Sequence, residues 1–314
     1  MSEELVFPAL YERDGVRVSE SPWGADDEIG RLNWMTPESQ AEALRRADGA
    51  RPFDLAVDLF MGMPSWTAAG DPKYDIWMTH TPDGSLNDEL DGIDRDSLEH
   101  TSYAGSAVTM YTHTGTHLCG LNHIGHHGRF WNGWTAADQL GSRSWRVGGR
   151  YPPIVARGVL LDVAGLKGVD CLPDSYAISA DDLRAAEERE GVELRRGDIV
   201  LARTGRMTRW PDPVAFMETP PGLGLGAARY LCEEAGAMCV GVDAGGEPLP
   251  PEQPGAFLPV HAYLLATAGV PVFENLWLED LAAAEVFEFA LLAFPLKLAG
   301  STGCPVRPVA LPFT

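Results

Sequence analysis

Apolar and polar positions along the chain fall into short runs, and their periods predict strands and helices in irregular alternation. Thr36-Pro37-Glu38 predicts a helix start, with Thr36 as N-cap and Pro37 in the first turn, running through Ser39 to Arg46 and stopping near Gly49. The alternation from Phe53 to Phe60 predicts a strand, and so does the run from Ala107 to Thr112. Ile154 to Val163 is a β-branched apolar run. Ser179-Ala-Asp-Asp182 has the form of a capping box, with Asp182 in the usual Glu position, and predicts a helix to Gly191. Further strands are expected over 197–203, 238–242, 270–273, 287–292 and 306–311, and further helices over 224–235 and 259–268. Between these elements, residues 64–105 are rich in Asp, Gly, Ser and Pro and read as a long excursion or lid.

This pattern implies a mixed α/β chain: an N-terminal arm over 1–50 and a single domain over 51–314, with no regular doubly wound sheet. Gly222-Leu-Gly-Leu-Gly226 follows Pro220-Pro221 and no strand, so it reads as a turn into a helix and not as a phosphate loop.

Composition narrows the partners. The formal net charge is -21 over 314 residues, which counts against nucleic acid and against an anionic membrane. The start, Met1 to Pro8, carries no apolar leader, and the stretch from Phe287 to Leu298 is interrupted by Glu288, Pro295 and Lys297, so a cytoplasmic protein with a small-molecule substrate is expected. Five irregularly spaced cysteines do not suggest disulfides; Cys232 and Cys239 read as small core residues.

The chemistry concentrates in one place. His113, His117, Cys119 and His123 fall within eleven residues at steps of four, two and four. Even steps put side chains on one face of an extended segment. Thr114, Gly115 and Thr116 are poor helix formers, so a strand end running into a looped turn is expected rather than a helix. Imidazole and thiolate are good ligands for a borderline-soft divalent ion such as zinc. His126 and His127 sit in a Gly-His-His-Gly turn and read as surface or pocket-rim residues, while His80 and His100 lie in the polar excursion. Trp66, Trp131 and Trp134 are candidates for an aromatic pocket wall or for ordinary core positions. Asp243, ahead of Gly245-Gly246, reads as a turn-forming carboxylate or as one set behind the metal.

The stretch resembles the signature His-x-Gly-Thr-His-x-Asp-x-x-x-His of the cyclase superfamily of metal-dependent hydrolases, which includes bacterial kynurenine formamidase and isatin hydrolase. His113, Gly115, Thr116, His117 and His123 match it. Asp26 to Asn33, Gly158 to Asp162, Gly197 to Leu201, Val260-His261, Phe273-Glu274-Asn275 and Lys297 to Val309 are similar to further family segments. The resemblance implies a β-barrel-like core flanked by helices, assembled as a homodimer or homotetramer. It implies that His113 and His117 are metal ligands, that His123 is the general acid/base, and that His261 and Glu274 complete a two-metal centre. The motif Asp is Cys119 here, which favours zinc over manganese.

The implied reaction is hydrolysis of a small amide, formamide or cyclic amide. The Cys119 departure opens an alternative: ring closure, dehydration or isomerisation in the same pocket without a catalytic metal. A Cys119 nucleophile paired with a histidine, and a ligand-binding scaffold without turnover, are the remaining readings.

Overall fold

The structure is a computed structural model, and it describes residues 5–47, 52–67, 70–87, 93–140, 144–253 and 255–313. The expected helix stop at Gly49 lies outside the described residues.

The helix Pro37–Arg46 forms as its sequence predicts, with the Thr36 hydroxyl accepting from the Ser39 amide and the Ser39 hydroxyl accepting from the Thr36 amide. The helix Ala180–Glu190 starts at the Ser179–Asp182 box and ends at Gly191, whose φ of 67° is the left-handed cap that glycine adopts without strain. Pro259 opens a ten-residue helical segment over 259–268, whose second half, Tyr263–Ala268, is wound as a π-helix.

Nine strands form one sheet that curls into a half-barrel flanked by helices. Their order is Gly303–Pro305, His117–Cys119, Val272–Glu274, Cys239–Val242, Ile199–Arg203, Ile154–Asp162, Glu288–Ala293, Val309–Pro312 and Phe53–Asp54. The four from Val272–Glu274 to Ile154–Asp162 are parallel, each joined to the next in sequence through a helical crossover. Every other pairing is antiparallel. The parallel strands are covered on both faces, which is why Ile199–Arg203 and Cys239–Val242 are buried at every position.

Three expectations change. The extended run from Phe53 reduces to the two-residue strand Phe53–Asp54, because Leu55 onward turns away to line the ends of other strands. The strand expected over 107–112 is Gly105–Thr109, and it pairs outside the main sheet with Asp75–His80 in a two-stranded ribbon. The excursion therefore carries its own local structure. The Gly303–Pro305 strand is an element the hydrophobic pattern did not announce, being too short to show a period.

The N-terminal segment is docked against the core. Arg31 is buried and donates to the carbonyls of Ala268, Cys232, Ala237 and Leu5, so one guanidinium satisfies orphan carbonyls near the ends of two helices. Asp27 accepts from Gly30 N, Ser21 Oγ, Asn33 Nδ2 and Trp131 Nε1. Among the described residues no helix is long and apolar enough to cross a membrane.

Candidate active site and metal centre

The histidine stretch runs as a turn over 112–116, the strand His117–Cys119 and a second turn that carries His123, so a strand the sequence did not announce lies between the two turns. Gly115, at φ 64°, lets the chain reverse before His117–Cys119 joins the sheet. Thr116 anchors the turn, donating to the Asn275 carbonyl at 2.6 Å and accepting from the Val57 amide at 3.0 Å. His117 and Cys119 then share one strand face, as even spacing requires. Antiparallel pairing with Val272–Glu274 sets Glu274 directly opposite His117. His261 reaches the same point from the first turn of its helix.

The cluster is compact. Cys119 Sγ lies 3.3 Å from His113 Nδ1, 3.4 Å from His117 Nε2 and 3.7 Å from Glu274 Oε2. Glu274 bridges two imidazoles, with Oε2 3.0 Å from His117 Nε2 and Oε1 2.8 Å from His261 Nε2. His123 follows the strand in a turn, and its ring stacks on His113 at a centroid distance of 3.7 Å and an interplanar angle of 19°. All five expected metal ligands and the expected acid/base thus meet in one place.

The outward nitrogen of each candidate ligand histidine is tied off. His117 Nδ1 donates to the Gly115 carbonyl at 2.8 Å, His261 Nδ1 faces Glu247 Oε1 at 2.7 Å, and His113 Nε2 faces Thr302 Oγ1 at 3.0 Å. This leaves His113 Nδ1, His117 Nε2 and His261 Nε2 turned towards the thiol and the carboxylate. Gly303 allows the approach, since a Cβ there would lie 2.4 Å from the His113 ring. Two donor groups result, His113–His117–Cys119 and Cys119–His261–Glu274, each with its ligand atoms within 4.8 Å of one another and Cys119 common to both. Buried nitrogen, sulfur and carboxylate donors, with the far nitrogen of each imidazole hydrogen-bonded, suit a divalent ion of zinc's character, so the residues present fit the group.

Electrostatics separates the histidines. Burial, reinforced by the neighbouring His123, pushes His113 well below the usual imidazole value. Burial pushes His123 down to about 3, so its ring is neutral at ordinary pH. At His117 burial acts in the same direction, but Cys119 and Glu274 outweigh it and raise the ring to about 10. His261, between Glu274 and Glu247, is likewise raised against the effect of burial, and the two imidazoles hold Glu274 well below the usual carboxylate range.

The cluster floors a cavity of about 300 Å³. His113, His117, His123, His261 and Glu274 face into it, and Trp66, Phe216, Met217 and Phe257 form much of the wall. Trp66 stands where an aromatic wall is expected. Trp131 does not: it is fully buried in the core, donating to Asp27 Oδ2 at 3.0 Å and meeting the Phe7 ring, and it lines no part of the cavity. Its indole is drawn inward because Asp27 offers a buried acceptor. Trp134 is buried too. Asp243 takes the turn-forming role, accepting from Thr204 N, Thr204 Oγ1 and Gly205 N. His126 is half-buried and His127 exposed; neither lines the cavity.

Sequence reasoning missed Glu247, Thr302, Tyr111 and Asp71. Glu247 is buried beneath the Pro259 helix and accepts from the Val260 and His261 amides as well as from the His261 ring. Its place between Gly246 and Pro248, just past a strand end, was the available signal.

Comparison with known proteins agrees with this geometry. The family described as putative cyclase matches residues 53–246. An isatin hydrolase of Roseibium aggregatum is 30% identical over 166 residues, 48% of this chain and 59% of that protein's length. A kynurenine formamidase of Geobacillus thermodenitrificans is 26% identical over 204 residues, 64% of this chain and 76% of that protein. A crystal structure described as a novel cyclase superposes with a TM-score of 0.79 at 28% identity, covering 92% of this chain and 95% of that one. An isatin hydrolase bound to the product analogue thioisatinate has a TM-score of 0.62 at 23% identity, covering 89% of this chain and 100% of that one, which is a likeness of fold.

Proposed function

The chain belongs to the putative cyclase family, and from that premise we propose that it hydrolyses a small amide, formamide or cyclic amide with the help of a divalent metal ion. The observation that carries the reading is the buried His113–His117–Cys119–His261–Glu274 cluster on the floor of a cavity, with a neutral imidazole, His123, beside it. The amide bonds of the named relatives, a cyclic amide in isatin and a formamide in the kynurenine derivative, supply the substrate class.

His113, His117 and Cys119 would hold one ion, and Cys119, His261 and Glu274 a second. Such an ion polarises a carbonyl and brings the pKa of water to about 7. The thiolate makes zinc the ion we propose.

The chain's own groups do the proton work. His123, stacked on His113 at the cavity floor, is the imidazole to which we assign acceptance of a proton from the attacking water. The water oxygen bonds to the carbonyl carbon, the C–N bond breaks, and His123 returns its proton to the departing nitrogen, giving a carboxylic acid and an amine. The His113 ring stacked on His123 holds that imidazole in place. The apolar wall excludes bulk water from the reacting bond.

The test is elemental analysis joined to an assay on an N-formyl aryl amine and on isatin. We expect bound zinc, hydrolysis of at least one compound, and loss of activity on exhaustive chelation with recovery on adding zinc. Full activity in protein shown to be stripped of divalent metal would overturn the reading and favour metal-free chemistry in the same pocket.

A further inference from the structure

The cavity wall is one-sided in charge. Away from the cluster its lining is mostly apolar, with Trp66, Phe216, Met217 and Phe257 prominent beside the neutral polar Ser65, Tyr111 and Asn275, and the sole charged side chain there among the described residues is Asp71. Neither lysine nor arginine lines it among the described residues. Asp71 is half-buried and lies near Tyr111, whose hydroxyl is kept protonated by burial and by the Asp71 charge. The chain as a whole carries a formal charge of -21, so the outer field repels anions as well.

We infer that the substrate's distal end, the part remote from the reacting bond, is uncharged and apolar: the class is a neutral aryl amide, aryl formamide or fused-ring lactam without a remote anionic group. This rests on the hydrolase reading and deepens it. An anionic group near the floor can be met by the metal centre. A second one farther out meets apolar side chains, the neutral Ser65 and Tyr111 hydroxyls and Asp71, with no cation among the described residues to offset the loss of its water. An amino-acid carboxylate on the far side of the ring is therefore a disqualifying feature. A neutral ring fills the same space while removing apolar surface from water.

The experiment uses the zinc-loaded protein and two probes of matched shape, 4-formamidobenzenesulfonate and the corresponding methyl sulfone. A sulfonate is a weak metal ligand, so reversed binding on the centre does not confuse the comparison. We expect kcat/KM for the sulfone to exceed that for the sulfonate by about tenfold or more, as a nearby like charge at intermediate dielectric implies. Asp71→Asn is expected to shrink the ratio, and Phe257→Arg, which places a cation at the exposed mouth, to erase or invert it. Titration calorimetry with the same pair gives the binding ratio independently of turnover. If neither probe is hydrolysed but the sulfone binds more tightly, the hydrolase reading loses support while the substrate class stands. Equal or better binding and turnover of the sulfonate overturns the inference, and so does a sulfone that neither binds nor reacts.

Discussion

The floor and the wall of the cavity are built by opposite rules. The floor is polar, buried and mutually hydrogen-bonded: each ligand imidazole has one nitrogen fixed by Gly115 O, Glu247 or Thr302 and the other turned to Cys119 or Glu274. Its His117, Cys119 and Glu274 sit on paired strands and His261 on a helix start, with His113 and His123 in the turns on either side of the His117–Cys119 strand. The wall is mostly apolar, carried on connections and the short helix Pro213–Met217, and partly open, with Phe257 69% exposed. A floor of this kind tolerates no displacement, because each group is another's hydrogen-bond partner. A wall of this kind tolerates exchange of one apolar side chain for another. The candidate ligands are thus tied largely to the sheet and the apolar wall to the segments outside it.

The sharpest way to break this contrast is at Cys119, which belongs to both donor groups. Cys119→Ala should abolish retention of zinc and hydrolysis together, the largest effect in the molecule; elemental analysis of the purified variant checks it. Next, His123→Ala should lower kcat by about 10² to 10⁴-fold while zinc content stays unchanged, as expected for a proton-transfer group that is not a ligand. Glu247→Gln keeps the shape of the side chain but weakens its hold on His261 Nδ1. It should weaken zinc binding by about 10–100-fold, read as a shift in a competition titration against a chromogenic chelator.

On the wall the effects should be smaller and should fall on KM. Trp66→Ala is expected to raise KM by about tenfold, the value of roughly 1.4 kcal/mol of lost apolar contact, with zinc content unmoved. Trp131→Phe supplies the contrast: KM should hold while the melting temperature falls, because the indole N–H to Asp27 is lost in the core. A Trp131→Phe variant whose KM rose as much as that of Trp66→Ala would dissolve the distinction between pocket and core tryptophans.

The smallest effect lies outside both regions and calibrates them. Glu190 accepts from the Asp162 amide, its Oε2 has no partner, and burial raises its carboxyl to about 8. In the unfolded chain the same group titrates near 4.5. The folded state therefore keeps a proton that the unfolded state gives up, and the resulting stability is full below 4.5 and is lost as pH rises to about 8. Glu190→Gln should remove that loss, narrowing the fall in melting temperature across the window from about pH 5 to about pH 8 by about 2–4 °C with activity unaltered.

Much of the fold was legible because its signals are local. Thr36 with Pro37, and Ser179 with Asp182 and Gly191, mark helix ends whose hydrogen bonds close within a few residues. The apolar run from Ile154 announces a strand buried along its length. Of the site, the grouping of His113, His117 and Cys119 was visible from spacing and ligand chemistry alone, and His123, His261 and Glu274 from resemblance. The strand ahead of His113 ends earlier than its sequence predicts, at Thr109, and its pairing with Asp75–His80 and not with the main sheet was not legible. That pairing joins residues some thirty positions apart, and no local period encodes it.

The sequence by itself determined which atoms could bind a metal, where the capped helices Pro37–Arg46 and Ala180–Glu190 would begin, and that the chain would be strongly acidic, because these depend on residue type and short-range spacing. Only the tertiary structure decided that Glu274 stands opposite His117, that Glu247 fixes the His261 ring, and that Trp66 faces the cavity while Trp131 faces Asp27. Each of those outcomes depends on strand register or on which buried acceptor lies within reach, and both are set by long-range packing that a side chain's own neighbours in sequence do not specify.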